Sequence, residues 1–375
     1  MIAKPRFDGE WVGFQDAFEE VSRGVRKIKQ KDYLASGFYP IVDQSQSAVA
    51  GYSNEQNGLY VDVPAIVFGD HTRCVKYVET PFFIGADGVK ILKPKLSDDV
   101  RYWWHALRAT PIENLGYSRH YKLLKEKLFR SFDLDMQVSI RRKLDRVLLE
   151  IDCAEQVLSK LDVLVKSRFV EMFGSCTRCV SLADVCCFRS GKTLPKSNEM
   201  PSGDYLYAKV GDLNLPGNER VIKSSRSYVN ADVAKNLIPK GAVVFPKRGG
   251  AISTNKKRVT ARDCCLDLNL MAVIPGEQIC TEYLLAWFDQ MDLAEIANGS
   301  AVPQINNKDL EPLIIPLPQM EAQQEFASFV AQVDKSRFVV QRQIGKLRTL
   351  YDSRAQIVQQ PIAKMLWTQR AVVQP

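Results

Sequence analysis

The sequence predicts an α+β protein built twice over, with two pseudo-repeated α+β domains joined by two long antiparallel coiled-coil helices. Three observations carry that expectation. The 375-residue chain repeats itself at long range. Tyr102-Trp103-Trp104-His105-Ala106-Leu107 is answered by Tyr283-Leu284-Leu285-Ala286-Trp287-Phe288 at an offset of 181, and Leu128–Asp152 by Leu310–Asp334 at an offset of 182. Ala65–Phe68 is answered by Ala242–Phe245, and Tyr39–Val42 by Tyr207–Val210. So long a period excludes a solenoid, whose units run to roughly 20–50 residues. Each half also carries short β-like runs broken by Gly, Pro and Asn, and each ends in a long amphipathic helical pattern.

In chain order, residues 8–135 hold the runs Phe38–Val42, Leu59–Val63, Ala65–Phe68 and Val89–Leu92, then a helical patch at 99–108. From Ile140 the apolar positions fall at Ile140, Leu144, Val147, Ile151, Ala154, Leu158, Leu161 and Val165, spaced alternately by four and three. That is a heptad seam. The spacing predicts a helix to Met172-Phe173, with Gly174 as its stop. Residues 178–317 repeat the globule through Tyr205–Val210, Ala242–Phe245 and Leu268–Ile274. After Pro316-Leu317-Pro318 a second seam follows: Val330, Val333, Arg337, Val340, Ile344, Leu347 and Tyr351. Gly345 inside it costs up to ~1 kcal/mol relative to Ala, so this helix needs a partner, and the first long helix is the obvious one. The expected division is 1–137 for the first domain, 138–175 for the central helix, 176–318 for the second domain, 319–360 for the C-terminal helix and 361–375 for a tail.

Composition bounds the function. With 46% apolar residues the chain has material for real cores. The net charge is +8, and Lys240–Arg262 holds seven basic residues and no acidic one, which favours a polyanionic partner. No signal-peptide pattern opens the sequence, and no run approaches the ~18 apolar residues of a membrane span. The expectation is a cytoplasmic protein with no membrane partner. Of nine cysteines, two pairs are adjacent, Cys186-Cys187 and Cys264-Cys265. Cys176-Thr-Arg-Cys179 has metal-ligand spacing but no histidine nearby, so reduced thiols and no metal are expected.

Catalytic motifs are missing. Ser190-Gly191-Lys192-Thr193 resembles the end of a phosphate-binding loop, but that loop needs a glycine where Cys186 stands. There is no Asn/Asp-Pro-Pro-aromatic loop of an amino-group methyltransferase and no Gly-x-Gly-x-x-Gly. The three histidines, His71, His105 and His120, are scattered. The chain is expected to catalyse nothing alone.

Phe68-Gly69-Asp70-His71-Thr72-Arg73, Lys76-Tyr77, Phe82–Lys90 and Gly116-Tyr117-Ser118-Arg119-His120-Tyr121-Lys122 resemble one class of target-recognition domain in the DNA-specificity subunits of type I restriction-modification systems. Gly299–Ile305, Ile315-Pro316-Leu317-Pro318 and Gln323 are similar to that family's domain exit. The first half departs from the pattern, with Asp133-Leu134-Asp135-Met136 in place of Pro-x-Pro. The resemblance spans nearly the whole chain. It implies a non-catalytic, sequence-specific DNA-binding subunit acting in host defence. Each target-recognition domain would read half of a bipartite double-stranded DNA target, and the helices would set the spacer. It implies no cofactor in this chain. Two modification subunits would carry S-adenosylmethionine and methylate adenine, and restriction subunits would use ATP and Mg²⁺.

The expected DNA-binding residues are Arg73, Lys76, Arg119, His120 and Lys122 in the first domain. In the second they are Lys192, Lys223, Lys247, Arg248, Lys256, Lys257, Arg258 and Gln304. Arg248 beside Gly249-Gly250 suits a bidentate contact to guanine, the lysines suit phosphates, and Gln304 and Asn306 suit adenine or the local turn. Two alternatives stand beside this reading: the recognition part of a separated single-chain type II enzyme, and a two-headed scaffold that binds no DNA.

Overall fold

The computed structural model describes residues 9–85, 87–96, 99–299 and 302–358. The chain divides into two compact units. One runs to Glu155 and resumes at Arg342; the other is Gln156–Gln341. Both long helices are therefore shared out, and half of each packs in the core of each unit.

In the first unit, Glu10–Gly13 pairs antiparallel with Leu128–Ser131. One four-stranded sheet has the order Phe18–Glu20, Val89–Pro94, Ala65–Gly69, Val75–Val78. Ala65–Gly69 is buried throughout, as its unbroken apolar run requires. A second sheet, Lys27–Ile28, Phe83–Gly85, Tyr39–Val42, Gly51–Ser53, is partly parallel. The helix Val100–Ala109 starts at Asp99, whose Oδ1 accepts the Tyr102 N–H at 2.8 Å. It buries Tyr102, Trp103 and Leu107 in one core with Phe68, Leu144, Val147, Leu347 and Tyr351.

The second unit repeats this plan with its strands divided differently between the two sheets. Cys179–Ser181 pairs with Ile314–Pro316. A five-stranded sheet runs Cys186–Ser190, Leu270–Pro275, Val243–Pro246, Arg258–Thr260, Val221–Ile222, and a three-stranded one runs Tyr228–Val229, Tyr205–Ala208, Cys264–Leu266. The helix Thr281–Phe288 buries Tyr283 against Phe169, Phe173 and Phe326 from the two long helices. Burying one such aromatic stabilises by roughly 1.5–3 kcal/mol.

The hydrogen bonds correct two of the internal alignments. The Tyr102 hydroxyl donates to Arg130 O at 2.5 Å and the Tyr283 hydroxyl to Pro316 O at 2.7 Å, so the 181 offset holds for the tyrosines while their acceptors differ by 186. Gln137 Nε2 donates to Phe132 O and Gln323 Nε2 to Pro318 O, again 186 apart. The 182 offset over Leu128–Asp152 is therefore wrong by four residues. Ile41 lies opposite Phe83 and Leu206 opposite Cys264, which also moves Tyr39–Val42 three residues from its expected match.

The central helix spans Leu134–Phe173 and the C-terminal helix Met320–Ala355. Every expected seam residue is buried or half-buried. Within the second unit Asp162 pairs with Arg337 at 2.8 Å and Arg168 with Glu325 at 3.3 Å, so partner numbers fall as the central helix advances and the pair is antiparallel. Where the first half lacks Pro-x-Pro, Asp133 Oδ1 accepts the Met136 N–H at 2.8 Å and caps the helix instead. The expected tail at 361–375 and the end of the expected helix at 359–360 lie outside the described residues. Among the described residues no helix is long and apolar enough to cross a membrane, and no cluster of three or more His, Cys, Asp or Glu could hold a metal.

Candidate nucleic-acid interface

In both units three loops are zipped together by the same two backbone bonds. In the first, the Asp70 N–H donates to Gly88 O at 2.7 Å and Asp70 O accepts the His120 N–H at 2.9 Å. In the second, the Lys247 N–H donates to Asn269 O at 2.8 Å and Lys247 O accepts the Ile305 N–H at 3.0 Å. Asp70 and Lys247 each follow the fully buried strand of their sheet, which fixes the loops to the core. Each loop cluster is thus a rigid platform rather than a set of free segments.

The side chains at the junctions serve the platform. Asp70 is buried, and its Oδ1 accepts the Tyr121 N–H at 2.7 Å. His120 is fully buried: its Nε2 accepts the Leu115 N–H at 3.2 Å and its Nδ1 lies 3.0 Å from Asp70 O. Nδ1 must therefore carry the proton. Lys247 is buried with Nζ donating to Ser190 Oγ at 2.7 Å, and burial, then the neighbouring Arg248, pushes its pKa down.

Other expected contacts also turn inward. Lys257 is buried, with Nζ donating to Asn255 Oδ1 and Met291 O, both at 2.8 Å, and burial lowers its pKa against the pull of Asp289 and Asp292. Arg258 is half-buried and donates to Lys257 O at 2.8 Å. Lys256 bonds the Asn214 side-chain oxygen. Lys76 is buried 3.6 Å from an Asp43 oxygen, an ion pair too long for a hydrogen bond, and burial lowers its pKa. Arg73 takes a left-handed backbone (φ 60°) and donates to Ile112 O at 3.0 Å. With Gln46 and Arg108, Arg73 and Lys76 line an open cavity of about 600 Å³. His120, Lys247 and Lys257 are corrections to the sequence reading: their polar groups brace the fold instead of facing solvent. The basic stretch misled because charge in a sequence carries no direction.

Five expected cations do face solvent: Arg119 and Lys122 in the first unit, and Lys192, Lys223 and Arg248 in the second. Arg248 and Gln304 form a backbone bridge, and the Gly249 N–H donates to Pro303 O at 2.8 Å. Gly249 has φ +63°, which a residue with a Cβ adopts only under strain. Gly191, suspected as part of a phosphate loop, has another purpose: a Cβ there would lie 2.0 Å from Asp267 O. The glycine lets two chain segments cross.

Residues missed in the sequence stand on the same platforms. Tyr117 is 90% exposed and stacks on His71, and Val302 is 55% exposed beside the Arg248 loop. A search for cations passes over them. The signal available was an aromatic residue after a turn glycine, Gly116-Tyr117.

Residues 178–345 match the family model described as Type I restriction modification DNA specificity domain. Over 354 residues the chain is 20% identical to the Type I restriction enzyme EcoR124I/EcoR124II specificity subunit of Escherichia coli, covering 87% of this chain and 86% of that one. The Type-I restriction-modification system S subunit from M. genitalium is similar in fold, with a TM-score of 0.51, 14% identity, and 95% of this chain and 97% of that one covered. A chain from a study of complex assembly and conformational transition of the type I R-M system gives a TM-score of 0.52 at 15% identity, over 93% and 97% of the two chains. The resemblance and the fold class read from the sequence are borne out.

Proposed function

We propose that this chain, whose residues 178–345 belong to the Type I restriction modification DNA specificity domain family, reads a bipartite double-stranded DNA target, one half-site per unit, and performs no chemistry itself. The observation that carries the reading is the pair of equivalent loop platforms, each braced from within and each presenting exposed cations. A rigid surface with lysine and arginine at its rim suits a duplex: the lysines neutralise phosphates and an arginine can read base edges.

Two modification subunits holding S-adenosylmethionine, and restriction subunits using ATP and Mg²⁺, would supply the reactions. Exposed apolar side chains on the helices support a protein partner. Val163, Val170, Phe338 and Val339 of the second unit are each 57–65% exposed, more than a solvated helix face needs. The unread spacer between half-sites would follow helix length, at about 1.5 Å per residue.

Duplex binding measured at two salt concentrations tests the reading. A steep fall in affinity with salt is expected, because each phosphate contact releases counterions. A salt-independent interaction would leave the two-headed scaffold as the better description. Removing one matched heptad from both helices should change the spacer and leave both half-sites; an unchanged spacer would sink the ruler.

A further inference from the structure

We infer that His71 and Tyr117 form the base-contacting element of the first unit, with His71 Nε2 accepting a hydrogen bond from the amino group of an adenine or cytosine in the major groove. The inference rests on the DNA reading above and assigns the residues that read one half-site.

Tyr117 is 90% exposed, and its ring rests on a neighbouring side chain. It lies flat on the His71 imidazole, with ring centroids 4.8 Å apart and planes 8° from parallel. His71 is fixed in turn. Its backbone N–H donates to Gln44 Oε1 at 3.2 Å, and its Nδ1 sits 3.2 Å from Ser118 O. A carbonyl oxygen only accepts, so Nδ1 carries a proton, and a ring holding that single proton presents a lone pair at Nε2. Among the described residues Nε2 has no hydrogen-bond partner. A stacked pair already held in one geometry loses little side-chain freedom on binding, which is the property of a good contact residue.

The repeat locates the pair independently. His71 follows Asp70, and Tyr117 stands three residues before His120. Arg248 follows Lys247, and Val302 stands three residues before Ile305. The backbone bonds make Asp70 equivalent to Lys247 and His120 to Ile305. Both platforms therefore carry a polar reader beside an exposed, largely apolar side chain at the same two stations. The chemistry differs. Arg248 can only donate and suits guanine, whereas His71 Nε2 accepts and suits the N6 amino group of adenine or the N4 amino group of cytosine. Against the O6 and N7 acceptors of guanine it would leave two lone pairs facing each other, which rejects that base.

The test is selection of binding sequences from a randomised duplex pool by the full-length chain, comparing wild type with His71→Ala, Tyr117→Ala, Tyr117→Phe and Arg248→Ala. His71→Ala should lose discrimination at one base pair of one half-site by roughly 10- to 100-fold. Tyr117→Ala should blur the same position, and Tyr117→Phe, which keeps the stack, should retain it. The base pairs lost in Arg248→Ala should be different ones. Since Tyr117 packs in no core, its alanine variant reads the contact even if a His71 variant folds poorly. If both alanine variants select the wild-type sequence with wild-type affinity, the pair reads nothing and the inference is overturned. If the wild type itself selects no sequence, the DNA reading fails first, and that result is distinguishable from the former.

Discussion

At the scale of single residues, burial separates cations that hold the protein together from those left for a partner. Lys257 and Lys223 are both lysines of the second unit, and the sequence alone gives them the same role. Lys257→Ala would remove the buried ammonium that donates to Met291 O and Asn255 Oδ1, leaving them only their weaker partners, and would take from Asp289, whose pKa burial already raises, its largest offsetting charge. A loss of about 2 kcal/mol is expected in urea unfolding. Lys223 is exposed. Lys223→Ala should leave stability within about 0.5 kcal/mol and reduce the salt slope of DNA binding by about one contact. Equal stability of the two variants would contradict the placement of Lys257. His105 shows the same principle in a titratable group. It is fully buried, with Nε2 at 2.9 Å from Asp145 Oδ1 and Nδ1 at 2.9 Å from the Tyr351 hydroxyl. Burial drives its pKa below the usual histidine value, and the Asp145 carboxylate offsets only part of that. Tyr351, pushed up to about 12, keeps its proton and donates to Nδ1. The folded ring therefore stays neutral where an unfolded one, with a pKa of about 6.5, takes up a proton. Its contribution is complete above that pH and declines as pH falls through the folded value, with a slope approaching ~1.4 kcal/mol per pH unit. His105→Gln should flatten the decline between pH 7 and pH 5.5 in urea midpoints; an unchanged pH slope would remove His105 from the account.

The element scale shows what the sequence displayed and what it hid. Both heptad seams were legible because narrow apolar spacing is a direct image of a buried stripe. The internal offset of the helices was not. With the observed offset of 186, Ile140 matches Phe326, Leu144 matches Val330 and Val147 matches Val333, all buried. The misread offset slips this by four residues, about one helical turn, so apolar positions still fall on nearly the same face and the pattern cannot reject the error. Only hydrogen bonds from fixed points, such as those of Tyr102 and Tyr283, settle it. Arg337 was visible as a charged residue in an apolar seam. The structure pairs it with Asp162 at 2.8 Å and Asp334 at 3.4 Å. Asp162 is 59% exposed and can be solvated alone, so the pair does little for stability that a well-packed apolar residue would not do better. Arg337→Leu is expected to raise the stability of the second unit by about 1 kcal/mol; a clear loss would show that the ion pair fixes helix register.

For the whole molecule, the repeat makes a claim about independence. Each hydrophobic cluster draws its members from a single unit, including the share contributed by the long helices. The twofold plan was legible because both copies keep their aromatic helix, Tyr102–Leu107 and Tyr283–Phe288. The loop platforms were not, since what matches there is backbone bonding, and the side chains have diverged from Asp70 to Lys247 and from His71 to Arg248. That divergence over a common scaffold is what two different half-sites would require. Arg248→Ala should therefore weaken or relax recognition of one half-site, by ~1–3 kcal/mol if the side chain makes a bidentate base contact. The other half-site should keep its full preference, because Arg248 and the residues bracing its loop lie within Gln156–Gln341. Binding to duplexes altered one base pair at a time, with the modification subunits present, measures both half-sites in the same experiment. If Arg248→Ala blurs both equally, the units do not read separately, and the two loop platforms act as one surface whose specificity cannot be divided between them.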